Sequence, residues 1–213
     1  MSFLFHGDCL EILPTLPDAV VDLVLTAPPY LVNYKDRTGR SIANDVRDDW
    51  LAPAFAEVYR VMKPNTLCIS FYGWTKTDLF FNAWKRAGLQ VVGHIVFTKT
   101  YASKARFVEY RHESAYVLAK GRPPVPAVPV PDVMPFKYTG NRHHPTEKPL
   151  GSLMPLIEAY TAPGAVVLDP FAGSGTTCVA AHALDRRYIG IELDATYYAA
   201  ACERLAERNA IPA

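Results

Sequence analysis

The chain has 213 residues, a length that fits one domain with a sizeable core. Its 22 basic and 21 acidic residues leave a net charge of +1, so composition does not predict nucleic-acid binding and any basic patch must be local. The four cysteines have no CxxC spacing, which favours reduced thiols in a cytoplasmic protein, and no apolar stretch suggests a signal peptide or a transmembrane segment.

Short apolar runs alternate with helical patterns along the chain. The expected strands are Phe3–His6, Val21–Thr26, Thr66–Tyr72, Leu89–Phe97, Glu113–Ala119, 165–169 and Tyr188–Glu192. The expected helices are about Asp49–Met62, about Lys76–Gly88, Pro149–Tyr160, 176–184 and Thr196–Asn209, and Leu10–Leu16 is expected to be a short helix or a turn. This alternation predicts a doubly wound α/β sheet with helices on both faces.

Two segments interrupt the alternation. Residues Leu31 to Asp48 are polar and have no apolar period, which is typical of a functional loop leaving the end of a strand. Residues 121–135 are rich in proline, which lacks the N–H needed for a β ladder. We expect the second segment to be an extended strap on the surface.

The glycine-rich stretch Asp169-Pro-Phe-Ala-Gly-Ser-Gly-Thr-Thr177 lies between an expected strand and an expected helix, where nucleotides commonly bind. It lacks the third glycine of a dinucleotide fingerprint and the lysine of a P-loop. A carboxylate at Asp169 suits a cationic amino group, and Glu192 at the end of the next strand suits ribose hydroxyls. These features predict S-adenosylmethionine as ligand; an ordinary βαβ unit is the alternative.

Four motifs together resemble those of amino-group DNA methyltransferases. They are Asp169–Gly175 (the cofactor motif), Thr26-Ala-Pro-Pro-Tyr30 (the catalytic motif), His6-Gly-Asp-Cys9 (the end of the adenine-contacting strand) and His144-Pro-Thr-Glu-Lys-Pro149. The catalytic motif comes first in the chain, which is the order of the β group, a circular permutation of the fold. The resemblance implies one methyltransferase domain over residues 1–213, built on a mostly parallel seven-stranded sheet.

The resemblance also implies how the catalytic motif works. In the family, the first motif residue and the carbonyl of the first proline, here Pro28, accept the hydrogens of the exocyclic amine, while the aromatic residue, here Tyr30, stacks on a flipped base. The prolines Pro28 and Pro29 hold the backbone rigid. Ala27 stands where the family carries Asp, Asn or Ser, and a methyl group accepts no hydrogen bond. We therefore expect an inactive or impaired enzyme; an alanine compensated by another acceptor remains the alternative.

The remaining site residues fall into two sets. The resemblance implies that S-adenosylmethionine, released as S-adenosylhomocysteine, is held by Asp8, Cys9, Thr146, Lys148, Asp169, Phe171, Gly173, Gly175, Thr176, Thr177 and Glu192. Loops at about 31–48 and 99–112 mix basic and aromatic residues, as phosphate contacts and stacking require. Their candidates for contact with double-stranded DNA are Tyr34, Arg37, Arg40, Lys99, Lys104, Arg106 and Arg111. The spacing of histidines and cysteines predicts no metal site.

The target base and the biological role follow from the resemblance. The loop starting at Tyr30 resembles that of adenine-directed relatives, which favours adenine N6 over cytosine N4. Relatives are often homodimers, so we expect a homodimer. Restriction-modification is one expected role, with regulation and the protection of phage or plasmid DNA as the alternatives. Two other functions remain: a nucleic-acid-binding module that keeps the cofactor without turnover, and methylation of RNA or of a protein glutamine. The order of the motifs disfavours the last.

Overall fold

The structure is a computed structural model that describes residues 1–35, 39, 41–102 and 107–209. The strands within these residues are β1 (Phe3–His6), β2 (Val21–Thr26), β3 (Met62–Phe71), β4 (Gln90–Thr98), β5 (His112–Lys120), β6 (Val133–Pro135), β7 (Val166–Asp169) and β8 (Arg187–Glu192). The helices are α1 (Cys9–Ile12), α2 (Leu51–Val61), α3 (Thr77–Ala87), α4 (Leu150–Tyr160), α5 (Thr176–Ala183) and α6 (Ala195–Asn209). Short 3₁₀ turns cover Leu13–Thr15 and Trp74–Lys76.

The strands form one sheet in the order β1-β8-β7-β2-β3-β5-β4-β6. The first five strands in this order run parallel to one another, whereas β5 is antiparallel to both β3 and β4. The expected doubly wound, mostly parallel α/β sheet is therefore confirmed. The expected number of seven strands is wrong for the described residues, because β6 adds an eighth strand beside β4.

Helices cover both faces of the sheet, and the alternation of side chains along β2 shows why. Val24 packs in a core with Phe55 of α2 and Trp84 of α3, while Leu23 and Leu25 on either side of it pack in the opposite core with α4. Successive residues of a strand point to opposite faces. A strand buried on both faces therefore has a continuous apolar run, which in β2 is Leu23–Leu25.

The proline-rich segment is only partly the expected surface strap. Val125 and Val128 are 86% and 80% exposed, but Val133–Pro135 pairs with β4 as β6. Proline is tolerated here because the strand lies at the edge of the sheet and Pro135 is its last residue. The carbonyl of Pro135 still accepts a hydrogen bond, at 2.8 Å, from Ser152 of α4.

The junction between α2 and β3 also differs from expectation. Asn65 has the expected left-handed conformation, with φ of 59°. The strand nevertheless begins at Met62 rather than at Thr66, because Met62 pairs with Val21 before a shift in register.

The polar loop after β2 is anchored by buried Asp45, whose carboxylate accepts backbone N–H groups of the loop at 2.6 Å.

No helix within the described residues is both long enough and apolar enough to cross a lipid bilayer.

Candidate active site

The candidate site lies where four neighbouring parallel strands end. The carboxyl ends of β1, β8, β7 and β2 share one edge of the sheet, and ligands of open α/β sheets bind outside such an edge. Asp8, Glu192, Asp169 and Ala27 stand at or directly after these four ends and line one cleft. The motifs are far apart in sequence, yet the fold brings them together.

Most of the predicted site residues line this cleft. The four residues Ala27–Tyr30, which we call the catalytic corner, line the cleft. So do Tyr34 and the predicted cofactor-binding residues Asp8, Cys9, Thr146, Lys148, Asp169, Phe171, Gly173, Thr176, Thr177 and Glu192. Gly175 is not among the lining residues. A Cβ added to it would lie 2.8 Å from that of Ala201, so its backbone packs against α6.

Asp169 is a buried carboxylate at the centre of the cleft. It is 4% exposed, and one oxygen accepts the hydroxyl of Thr26 at 2.7 Å and the N–H of Phe171 at 3.1 Å. Burial raises the pKa of Asp169 above its ordinary value despite these hydrogen bonds. In the described part of the chain it forms no ion pair, so a cationic ligand would meet a buried acid that no direct cationic partner occupies.

Glu192 shapes the glycine-rich turn. Its carboxylate accepts the N–H of Gly173 at 2.7 Å and that of Asp194 at 2.8 Å. Burial raises the pKa of Glu192 as well. Gly173 has φ of 53°, and a Cβ there would lie 3.3 Å from the ring of His144. Glycine is therefore favoured at position 173 for two reasons: its φ is positive, and the His144 ring lies where a side chain would stand.

Asp8 and Cys9 also line the cleft. The Asp8 side chain caps α1 by accepting the N–H of Leu10 at 2.8 Å. Burial, together with the charge of Asp8, raises the pKa of Cys9 to about 12. Cys9 therefore remains a neutral thiol at physiological pH and presents an apolar surface.

Two contacts hold Tyr30 of the catalytic corner, one at its hydroxyl and one at its backbone. The hydroxyl of Tyr30 donates to Glu113 at 3.2 Å, and burial followed by the charge of Glu113 raises the pKa of this hydroxyl, which keeps it protonated. Gly73 lies directly behind the Tyr30 backbone, since a Cβ on Gly73 would come within 2.3 Å of the Tyr30 carbonyl oxygen. Ala27 contributes only a methyl group to this corner.

A buried charge cluster, Lys99–Glu113–Lys148, supports the corner. The Glu113 carboxylate contacts the Lys99 ammonium at 2.9 Å and the Lys148 ammonium at 2.7 Å. The lysine side chains are 8% exposed and that of Glu113 is 18% exposed. Burial alone would raise the pKa of Glu113, but the two ammonium groups outweigh it and hold this pKa at about 2. The Lys148 ammonium also lies 5.2 Å from the ring centroid of Tyr30.

The residues predicted to contact DNA differ in their position and exposure. Tyr34 faces the cleft, and its hydroxyl donates to the carbonyl of Pro145 at 3.3 Å. Lys99 is buried in its ion pair, which argues against a phosphate contact. Arg111 is 56% exposed and close to Glu109. The other candidates, Arg37, Arg40, Lys104 and Arg106, lie outside the described residues.

Sequence reasoning missed three residues of this region. Glu113 is the second residue of β5, and no motif in the sequence points to it. Arg204 lies between Glu203 and Leu205 in α6, yet it bonds to the glycine-rich turn. Trp74 follows Gly73, is 62% exposed and stacks on Tyr110 with ring centroids 5.5 Å apart.

A family model described as DNA methylase, covering N6 and N4 enzymes, matches residues 21–138 and 131–203. The chain belongs to the DNA methylase family. Its cofactor is the family's, S-adenosylmethionine.

Two relatives from Escherichia coli (strain K12) cover nearly the whole chain of this DNA methylase. YubD, whose description names it a methylase without giving a target base, is 61% identical over 97% of this chain and 91% of its own. YhdJ, a DNA adenine methyltransferase, is 31% identical over 95% of this chain and 82% of its own.

Solved structures agree on the fold. The complex of M1.HpyAVI with S-adenosylmethionine has a TM-score of 0.77 at 24% identity, with 96% of this chain and 99% of that one covered. The cytosine-N4-specific PvuII DNA methyltransferase has a TM-score of 0.77 at 20% identity, covering 95% of this chain and 86% of that one. At these identities the likeness shows the fold alone.

Proposed function

We propose that this DNA methylase transfers a methyl group to adenine N6 in double-stranded DNA, and that Ala27 leaves this chain impaired in the transfer. The observation that carries the proposal is the meeting of the catalytic corner with the acids Asp8, Asp169 and Glu192 in one cleft. Neither the catalytic corner nor the three acids would serve a methyl transfer alone, because the methyl donor and its acceptor must face each other within a few ångströms.

The residues of the cleft fit S-adenosylmethionine. The methionine part of this cofactor carries an ammonium group, which suits the buried and unpaired Asp169 carboxylate. The glycine-rich turn at Gly173 places main chain without a side chain next to Asp169, which leaves room for the cofactor. Glu192 stands at the end of the next strand, where the ribose hydroxyls are expected. When bound, the cofactor supplies an electrophilic methyl group.

The catalytic corner positions the base. Pro28 offers a carbonyl on a rigid backbone to one hydrogen of the exocyclic amine. Tyr30 offers a ring held by Glu113 and by the close packing of Gly73, and a flipped base can stack on that ring. With Ala27 in place of an acceptor, the second hydrogen of the amine is unheld and the nitrogen lone pair is not directed at the methyl group.

Adenine is favoured by the relative YhdJ, a DNA adenine methyltransferase. Cytosine N4 is the alternative base, since the PvuII enzyme has the same fold. A second function, a DNA-binding module that retains the cofactor without turnover, is favoured by one observation, the methyl group of Ala27 at the corner. Homodimer formation and a role in restriction-modification stay predictions.

Cofactor binding provides the first test. Calorimetric titration with S-adenosylmethionine should show saturable binding to the unaltered chain. Asp169→Asn should weaken it by roughly 10- to 100-fold, because a hydrogen bond to a charged group contributes about 1.5–3 kcal/mol.

The matched control is Asp22→Asn, which changes an acid at the opposite end of the same strand pair, where it accepts the N–H of Val166. This variant should lower the free energy of unfolding and leave cofactor affinity unchanged. The proposed function is wrong if the unaltered chain does not bind the cofactor, and the role of Asp169 is wrong if Asp169→Asn binds equally well.

In this proposal Trp74 contacts DNA next to the catalytic corner. Tyr110 backs its indole with the two planes 25° apart, and Gly73 ties the same segment to Tyr30. An exposed aromatic ring beside a base pocket suits stacking on a neighbouring base, which contributes about 1–3 kcal/mol.

We expect Trp74→Ala to weaken binding of a labelled duplex roughly tenfold or more, as measured by fluorescence anisotropy at fixed salt. Trp74→Phe should retain most of the affinity. Val128→Ala, which changes an exposed apolar residue of the proline-rich segment, is the control. Equal losses for Trp74→Ala and Val128→Ala would rule out a stacking role.

A further inference from the structure

One face of α6 contacts both segments that flank the predicted cofactor site. Tyr197, Ala201 and Arg204 are spaced by four and three residues, so they lie on the same side of the helix. The segments they meet are the glycine-rich turn 173–176 and the stretch 144–147. Both segments line the cleft.

The first two contacts are steric. The ring of Tyr197 packs edge-on against that of His144, with centroids 4.2 Å apart. Gly175 has φ of 75°, and a Cβ on it would lie 2.8 Å from the Cβ of Ala201. The turn therefore approaches the helix as closely as a glycine backbone permits, which explains why Gly175 faces α6 rather than the cleft.

The third contact is polar and bridges the two segments. One terminal nitrogen of Arg204 donates to the carbonyl and hydroxyl oxygens of Ser174, at 2.6 and 3.0 Å, and to the hydroxyl of Thr176 at 3.0 Å. The other terminal nitrogen lies 3.4 Å from the Glu147 carboxylate. The side chains of Arg204 and Glu147 are 11% and 6% exposed, so water competes little for either charge.

We propose that Arg204 is a positioning residue for S-adenosylmethionine. It holds the glycine-rich turn and the 144–147 segment at a fixed separation and thereby sets the width of the cofactor cleft. A guanidinium group can do this because its planar fork donates in several directions at once, whereas a lysine ammonium acts as a point charge. This inference rests on the proposed function, since the cleft must bind the cofactor for its width to matter.

The test compares substitutions of Arg204 with one of Arg186. Arg186 is a matched control because it also bonds to several oxygens, those of Thr161 and Leu184, at the opposite end of the sheet. Calorimetric titration with S-adenosylmethionine and thermal unfolding are measured on the same samples, at a temperature at which all variants are folded. Arg204→Gln should weaken cofactor binding at least tenfold, and Arg204→Lys should weaken it less. Arg186→Gln should lower Tm without changing the affinity.

A milder variant covers the case in which Arg204→Gln does not fold. Thr176→Val removes one acceptor of the guanidinium group and leaves the charge pair with Glu147 intact. It should raise the hydrogen exchange rates of the turn amides at 173–175 and weaken cofactor binding severalfold. Thr176→Ser, which keeps the hydroxyl, should restore both.

The outcomes separate this inference from the proposed function. If the unaltered chain does not bind S-adenosylmethionine, the proposed function fails and the inference fails with it. If the unaltered chain binds the cofactor and the Arg204 and Thr176 variants bind it equally well, only the inference is overturned. Equal losses of affinity for the Arg204 and Arg186 variants would show a general effect of stability and would also overturn it.

Discussion

Ala27→Asp is expected to raise the rate of methyl transfer to unmethylated DNA roughly 100- to 1,000-fold. The reason is that a preorganised hydrogen-bond group in an active site contributes about that factor to kcat, and the carboxylate would accept the amine hydrogen that the Ala27 methyl group leaves unheld. Transfer of a radiolabelled methyl group from the cofactor to DNA measures the rate. Sequencing that detects modified bases then identifies the base and the recognition site together.

The controls for this result are substitutions of the same residue. Ala27→Asn also introduces an acceptor and should raise the rate, whereas Ala27→Val adds volume without an acceptor and should not. Cofactor affinity should change little in all three variants, because the acids Asp8, Asp169 and Glu192 are unaltered. If Ala27→Asp is no faster than the unaltered chain, the interpretation of this chain as an impaired enzyme is wrong.

Glu113→Gln is expected to cost about 3–5 kcal/mol of the free energy of unfolding, the usual loss when one partner of a buried ion pair is removed. Glutamine keeps the shape of the Glu113 side chain and an oxygen that can accept from the Tyr30 hydroxyl. The Lys99 and Lys148 ammonium groups, however, lose their carboxylate partner. Chemical denaturation measures the loss. Asp49→Asn, at an exposed ion pair with Arg47, is the control and should cost less than about 1 kcal/mol.

The same variant makes a prediction about pH. The pKa of Glu113 is about 2 in the folded protein against an ordinary value of 4.5. A lowered folded pKa stabilises the protein above pH 4.5, and this contribution is lost as pH falls toward 2. The difference in free energy of unfolding between the unaltered chain and Glu113→Gln should therefore shrink across that interval. A difference that stays constant from pH 6 to pH 3 would show that the carboxylate is not held by the two lysines.

The fold could be predicted from the sequence wherever a strand is buried on both faces. Val21–Thr26 was predicted to the residue, because its apolar run ends at a double proline. β6 was not predicted, since its three residues lie among prolines and its pairing depends on β4, far away in the sequence. The antiparallel pairing of β5 was equally hidden, because the direction of a strand leaves no local pattern.

The site could be predicted where a motif ends a strand, because parallel strands bring their carboxyl ends to one edge. Glu113 and Arg204 were missed because an isolated charge in a helix or strand is usually solvated, and nothing local distinguishes a buried one. Their partners Lys148 and Glu147 are distant in sequence. Lys99 illustrates the converse error, since a lysine in a basic and aromatic stretch suggested a phosphate contact and the fold buries it.

The pairing of β1 with β8 has a consequence for biosynthesis. Among the described strands Phe3–His6 pairs only with Arg187–Glu192, and the N–H of Gly7 donates to the carbonyl of Glu192 at 2.9 Å. Contacts between residues so distant along a chain form late and slow folding. The pocket can therefore close around its ligand only after β8 has been translated, and nascent fragments that lack this strand would carry exposed apolar edges that chaperones bind.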